Sequence, residues 1–391
     1  MSAAGPARPA PPLAGIRVLD FSTLLPGPLA TLLLAEAGAE VLQLERPPHG
    51  DEMRGYTPRL GESSANYALL NRGKRSAAVD LKDPAVRDRL LDLATETDVV
   101  VEQFRPGVMD RLGLGYPDFR ARNPAVVYCS ITGYGQTGPA AGRAGHDLNY
   151  LAESGLLGNV VDVHGDPHLP PTVIADIAGG TYPAVLNILL ALFRRTATGE
   201  GCHLDVGMTP NLATLAYGYL ATHAGSGRWP EAGRDLLTGG SPRYHLYRTA
   251  DGRHVAAAPL EDRFWARFCD LVELPQELRA DRGRETEVVA AVAERIVARP
   301  AEHWRRLFEG EDVCCSVVAT FQEAADSGAL RTESAHRVAG DGFDVAALPV
   351  PVVDELRRAP AALPYPTLRT GAEALPTGPA VAPTTARGST A

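Results

Sequence analysis

In the stretch AGHDLNYLAESG at 144–155, His146 stands beside Asp147, just after a glycine-rich loop and just before a helical pattern. An imidazole with an ordinary pKa near ~6.5 exchanges protons near neutrality, so the step is a candidate for general acid/base chemistry. The same spacing also fits a plain helix start, with Asp147 capping backbone N–H groups and His146 a surface residue. Further on, Asp176 precedes an apolar helix expected from about Gly180 to Thr196. A carboxylate there can be an N-cap, a reactive group, or both. That helix is apolar nearly all round, which predicts burial in the core or in a subunit interface. His164, His168, His203, His245 and His254 sit in no comparable pattern and read as surface or strand residues.

Composition bounds the possible chemistry. The 391 residues are 45% hydrophobic and 22% charged, enough for a sizeable core in two domains, with three the upper expectation. A net charge of −9 with no Lys/Arg-rich run gives no footprint for nucleic acid or a membrane surface. No apolar run is read as reaching the ~18–20 residues of a membrane span. Cysteines at 129, 202, 269, 314 and 315 are odd in number and lack metal-like spacing, which fits a reducing cytoplasm and argues against structural zinc or a disulfide framework. Residues 1–13 and the Pro/Ala/Thr-rich end of the chain read as disordered segments without chemistry.

The elements that must position His146 alternate as strand and helix. GIRVLDFS is a strand, PGPLATLLLAEAGA a helix opened by proline and closed at glycine, and AEVLQLER a second strand, together a βαβ unit. SAAVDL, VVVEQF and AVVYCSITGYG add strands, DPAVRDRLLDLATETD a capped helix and YPDFRARNP a helical turn. The first part of the chain therefore reads as α/β: an open, doubly wound sheet whose ligands lie beyond the C-terminal strand ends. No G-x-G-x-x-G follows the first strand, so a dinucleotide site is not supported. The expected organisation is a large domain at 14–208, a linker at 209–242, a small α+β domain at 243–335 with a hairpin turning at Asp251-Gly252, and a return to the large domain at 336–391.

LDFSTLLPGPLATLLLAEAGAEVLQLERP, NRGKRSAAVDLK, VVEQFRPGVMDRLGLGY, ITGYGQTGP, AGHDLNY, ADIAGG and RTATGEG resemble, in order, the signatures of the family III CoA-transferases. GHDLNY and AAAPLEDRFWARF are similar to the alpha-methylacyl-CoA racemase branch. The resemblance implies a large Rossmann-like domain, a smaller α+β domain and an interlocked homodimer acting on an acyl-CoA thioester, with no metal and no other cofactor. It assigns His146, partnered by Glu261 from either subunit, to one face of the substrate α-carbon and Asp176 to the other, with N–H groups near Asp147 on the enolate oxygen. It places CoA near Arg46, Ala78, Val79, Asp80, Leu81, Arg105 and Arg111, and against Gly145, Asn149 and Tyr150 of the histidine motif. Taken alone, Glu261 also suits the first turn of its helix as a dipole-complementing acid.

The leading expectation is acyl-CoA 2-epimerisation by 1,1-proton transfer. Its rivals are a CoA-transferase, in which Asp176 attacks the thioester to form a mixed anhydride, and a non-catalytic acyl-CoA-binding relative. Two departures bear on the substrate. The segment between Arg46 and Asn71 is longer than in compact racemases and is similar to transferase members, and PYPTLRTGAEAL lacks the family's Gly-(Glu/Gln)-His-Thr ending.

Overall fold

The apolar runs become strands because their β-branched and aromatic side chains pack on a pleated surface buried on both faces. The strands are β1 (Arg17–Phe21), β2 (Glu40–Glu45), β3 (Arg59–Leu60), β4 (Ser63–Ser64), β5 (Arg75–Ala78), β6 (Val99–Glu102), β7 (Val127–Thr132) and β8 (Cys202–Gly207). Apart from the short β3–β4 ribbon, they form one parallel sheet in the order β5-β2-β1-β6-β7-β8. The structure, a computed structural model, describes residues 9–161, 165–332, 334, 336–340 and 342–376. The chain before residue 9, His164 and the tail from residue 377 lie outside the described residues.

That order reverses direction at β1, which opens a crevice between the C-terminal ends of β1 and β6. The helices α1 (Pro26–Glu36), α2 (Ala65–Asn71), α3 (Pro84–Leu93), α4 (Val108–Leu112) and α5 (Tyr116–Arg122) connect these strands. Helix α3 opens as expected, with Pro84 in its first turn and the Asp83 carboxylate accepting the N–H of Ala85. On one side of the sheet, Leu19, Phe21, Leu42, Leu90, Val100 and Phe119 share a buried cluster. Each such side chain contributes about 1.5–3 kcal/mol on burial. Helix α1 is buried along its whole length.

Several expectations are corrected. The ordered chain begins before residue 14: Leu13 is buried and its N–H bonds to the carbonyl of Ala37. The helix expected from Gly180 starts earlier, as a π-helical turn Ala175–Thr181 that runs into α7 (Tyr182–Thr198). It is not enclosed all round. Ala184, Ile188, Ala191 and Leu192 are buried, whereas Leu186, Leu190 and Phe193 are exposed. The 24 residues Ala175–Thr198 also form the one described helix long and apolar enough to cross a membrane, contrary to the sequence expectation. The packing of α7 on α1, β7 and β8 gives that apolar character a core role.

The chain divides into two compact units, one of residues 1–150, 173–213 and 331–391, the other of residues 151–172 and 214–330. The segment 151–172 thus clusters with the second unit rather than with the large domain expected for it. The expected linker is helical at its start, through α8 (Met208–Asn211) and α9 (Tyr217–Ser226), and the units part within it. In the second unit, β9 (His245–Arg248) and β10 (His254–Ala257) form the hairpin at Asp251-Gly252, and β11 (Cys315–Val317) extends it to three strands. Helices α10 (Asp262–Leu271), α11 (Glu285–Ile296), α12 (Ala301–Phe308) and α13 (Phe321–Asp326) accompany this sheet. The returning chain adds β12 (Arg337–Gly340), β13 (Phe343–Ala346) and β14 (Ala362–Pro364) to the first unit.

Candidate functional site

The loop after β7 delivers His146 to the C-terminal edge of the sheet, immediately before α6 (Asp147–Glu153). Two glycines make that delivery possible. A Cβ at Gly133 would lie 2.5 Å from the Tyr150 ring, and one at Gly145 would lie 2.6 Å from it, so the ring occupies a slot that only glycine leaves open. The Tyr150 hydroxyl donates to the Gly145 carbonyl at 2.5 Å, and its ring meets Tyr134 edge-on at 5.4 Å. This clamp fixes the turn whose next residue is His146. Burial pushes the Tyr150 phenol up to about 12, with Asp176, Tyr134 and Asp147 adding to the rise. Gly145 and Tyr150, expected to contact CoA, are thus engaged with each other.

Asp147 does not fill the capping role expected of it. The Asn149 side chain does so, its Oδ1 accepting the backbone N–H of His146 at 3.1 Å. The Asp147 carboxylate is buried and turns to the π-helical turn, where Oδ1 accepts the backbone N–H of Asp176 at 2.9 Å. The π geometry itself rests on small residues: a Cβ at Gly179 would stand 2.4 Å from the Met208 carbonyl, and one at Gly180 would crowd Met208 and Pro26. Single-turn π segments recur at functional sites. Asp176 is half-buried, and its carboxyl is pushed up to about 6 by burial first and by the charge of Asp147 second, while His146 acts in the opposite direction. The structure therefore brings His146, Asp147 and Asp176 together, with the imidazole exposed to incoming ligand. An imidazole beside a carboxyl raised to about 6 is an arrangement suited to acid/base chemistry.

Glu261 lies in the second compact unit, at the N-cap position of α10. Its carbonyl accepts the N–H groups of Phe264 and Trp265, and its exposed side chain makes no capping bond.

The expected CoA contacts divide into accessible and occupied groups. Arg46 is exposed just past β2, and Arg105 and Arg111 are exposed on either side of the start of α4, all beyond C-terminal strand ends. Asp80 is exposed and Leu81 half-buried just past β5. Free strand-end amides at Ala78 and Val79 are not found. The Ala78 N–H bonds to the Arg369 carbonyl at 2.7 Å, the Ala78 carbonyl receives the N–H of Gly371, and the Val79 N–H bonds to Glu45. The returning chain thus takes both backbone groups of Ala78. Arg105 also lines a cavity of about 220 Å³ with Glu102, Tyr116, Ser130, Gln136 and His203. Burial pushes the Glu102 carboxyl up to about 7, against its bonds from Ser130 and the Phe104 N–H.

Sequence reasoning missed the buried ionic groups that hold this edge in place. Lys74 reaches Asp20, Thr31, Asn71 and the Pro28 carbonyl, and Glu36 gathers Arg72, His336 and Arg357. Among the described residues, no group of three or more His, Cys, Asp or Glu is arranged to hold a metal ion.

Comparison with known proteins adds names to this geometry. Residues 13–368 match the family described as CoA-transferase family III. The chain is 34% identical to alpha-methylacyl-CoA racemase of Homo sapiens, over 87% of this chain and 86% of that protein. It is 35% identical to succinyl-CoA:glutarate CoA-transferase of Homo sapiens, over 77% of this chain and 70% of that one. Among solved structures, the D175A mutant of Rv3272 from Mycobacterium tuberculosis superposes with a TM-score of 0.79 at 28% identity, covering 92% of this chain and 97% of that chain.

Proposed function

The chain belongs to CoA-transferase family III, and from that premise we propose that it is an acyl-CoA 2-epimerase, interconverting the configurations of a 2-methylacyl-CoA through an enolate. His146 exchanges the α-proton on one face, Asp176 on the other, and an N–H at the start of α6 takes the enolate oxygen. Arg46, Arg105 and Arg111 take the phosphates of CoA. The chemistry needs neither metal nor further cofactor.

The observation that carries this reading is the joint position of His146 and an Asp176 carboxyl raised to about 6. A group that must both take and give a proton works best with a pKa near the operating pH. The exposed Leu186, Leu190 and Phe193 of α7 support a homodimer, with a second copy covering that face. All five cysteines are unbridged, in accord with a cytoplasmic protein.

The alternative is CoA transfer through an Asp176 mixed anhydride, and the 35% identity to a glutarate CoA-transferase favours keeping it in view. One experiment separates them. A pure enantiomer of 2-methylacyl-CoA incubated in deuterated water should lose its α-proton signal as it racemises, and His146→Ala should lose the inversion. Absence of exchange, with hydroxylamine trapping an acyl group on Asp176, would instead establish the transferase.

A further inference from the structure

The Asp147 carboxylate is free for a task other than starting its own helix. In the first turn of α6, where an acid commonly binds N–H groups of the same helix, the bond to the His146 N–H is already made by Asn149. Asp147 is buried, and its Oδ1 instead accepts the N–H of Asp176, across from α6 to the π-helical turn. A buried acceptor of this kind holds one backbone group of the π turn at a fixed place. It also sets a negative charge close to the carboxyl of the very residue whose backbone it holds.

We propose that Asp147 is the positioning residue for Asp176: its buried carboxylate fixes the π-turn backbone that carries Asp176 and places a like charge beside the Asp176 side chain. This rests on the proton-transfer reading of the site. The two effects are linked by geometry, because the group that anchors the Asp176 backbone is also a like charge acting on its side chain.

Few other groups compete for this influence. Of the elements packed against the π turn, α8 carries no ionisable residue, α1 carries only Glu36, β8 carries Cys202, His203 and Asp205, and α7 carries Tyr182 at its start and Arg194 and Arg195 near its far end. The charges that act on Asp176 are Asp147, which raises its pKa, and His146, which lowers it; burial is the larger cause of the net rise. Tyr150, a further ionisable neighbour, is a phenol held neutral, with its pKa pushed up to about 12 by burial and by Asp176 among others.

The sign follows directly. Removing the like charge makes Asp176 easier to ionise, so its titration moves to lower pH. In the direction where Asp176 removes a proton, the acid limb of the rate profile moves down in pH. In the direction where Asp176 returns one, the supply of protonated Asp176 falls at neutral pH.

Asp147→Asn keeps an oxygen acceptor for the Asp176 N–H and removes the charge; Asp147→Ala removes both. The full-length variants, with aspartate 13C-labelled at the carboxyl carbon, are titrated by NMR, with Asp176→Asn assigning the signal. In Asp147→Asn the Asp176 titration is expected about one pH unit lower, a roughly tenfold change in the protonation constant. The reaction direction that needs protonated Asp176 is expected to slow about tenfold at pH 8 through kcat, with KM for the acyl-CoA little changed. An Asp176 titration that superimposes on the wild-type curve in Asp147→Asn overturns the proposal, as does loss of activity without movement of the pH limbs. The carboxyl titration reads Asp147 even if the protein proves not to racemise anything. Failure of the function and failure of this role are therefore distinguishable.

Discussion

Asp176→Asn is expected to slow racemisation of a 2-methylacyl-CoA by about 10²–10⁴-fold, the range a well-placed acid or base supplies. The amide keeps the size of the side chain and the backbone bond to Asp147, so acyl-CoA binding should change little and the loss should fall on kcat. The same substitution should alter stability in a pH-dependent way. Burial raises the folded-state pKa of Asp176 from 3.8 to about 6, so the native protein binds its proton more tightly than the unfolded chain does. Stability contributed by this group falls as pH rises from 3.8 to about 6, and the penalty is complete above that value. Asp176→Asn removes the ionisable group and with it the penalty. The variant should therefore melt higher than wild type at pH 8, with the gain vanishing as the pH approaches 4, as expected where function is maintained at a cost in stability. Steady-state kinetics and paired thermal melts at the two pH values check both parts.

Arg72→Ala is expected to destabilise the first compact unit by about 3–5 kcal/mol, the usual result of removing one partner from a buried ion pair. Arg72 is 1% exposed and Glu36 1%, and the guanidinium gives Glu36 two bonds, from Nε at 3.1 Å and Nη2 at 2.8 Å. It also donates to the carbonyls of Leu69 and Leu348, so it ties α1 to the end of α2 and to the returning chain. Burial opposes ionisation of Glu36, but His336 and Arg72 outweigh it and hold the carboxyl below its usual value. Without Arg72, the ion-pair partners left to Glu36 among the described residues are His336 at 3.2 Å and Arg357 at 3.7 Å. Urea denaturation of Arg72→Ala measures the loss. An Arg72→Met, Glu36→Met double variant should not recover it, because the buried His336 and Arg357 then lose the carboxylate they face.

The legible part of the fold is the part with strong local patterns. VLDF, VLQLE, VVVE and VYCSIT are buried on both faces and read as strands without help from the rest of the chain. CHLDVG was not read as a strand because β8 lies at the sheet edge, where His203 and Asp205 alternate with its buried side. The π turn at ADIAGG leaves no local trace either: it depends on Gly179 and Gly180 meeting Met208 and Pro26, which are distant in the chain. His146 and Asp176 were legible as a pair only through family motifs. Their actual link, the Asp147 carboxylate, was misread as a helix cap because spacing alone cannot tell which N–H an acid will take. The backbone partners of Ala78 and Val79 are hidden from local sequence in the same way. The Ala78 N–H is taken by the Arg369 carbonyl of the returning chain, and the Val79 N–H by the Glu45 carbonyl at the end of β2. The Glu36 network depends on His336 and Arg357, and no pattern near Glu36 announces them.

The central claim is that His146 and Asp176 address opposite faces of one α-carbon. It is tested most directly by α-proton wash-out from each pure enantiomer of a 2-methylacyl-CoA in deuterated water, with His146→Ala and Asp176→Asn compared. Two bases on opposite faces predict that neither variant inverts configuration, and that each still exchanges the enantiomer whose proton faces its intact base, so the two variants retain opposite enantiomers. Wash-out of the same enantiomer by both variants, or inversion persisting in either, would contradict the two-base site.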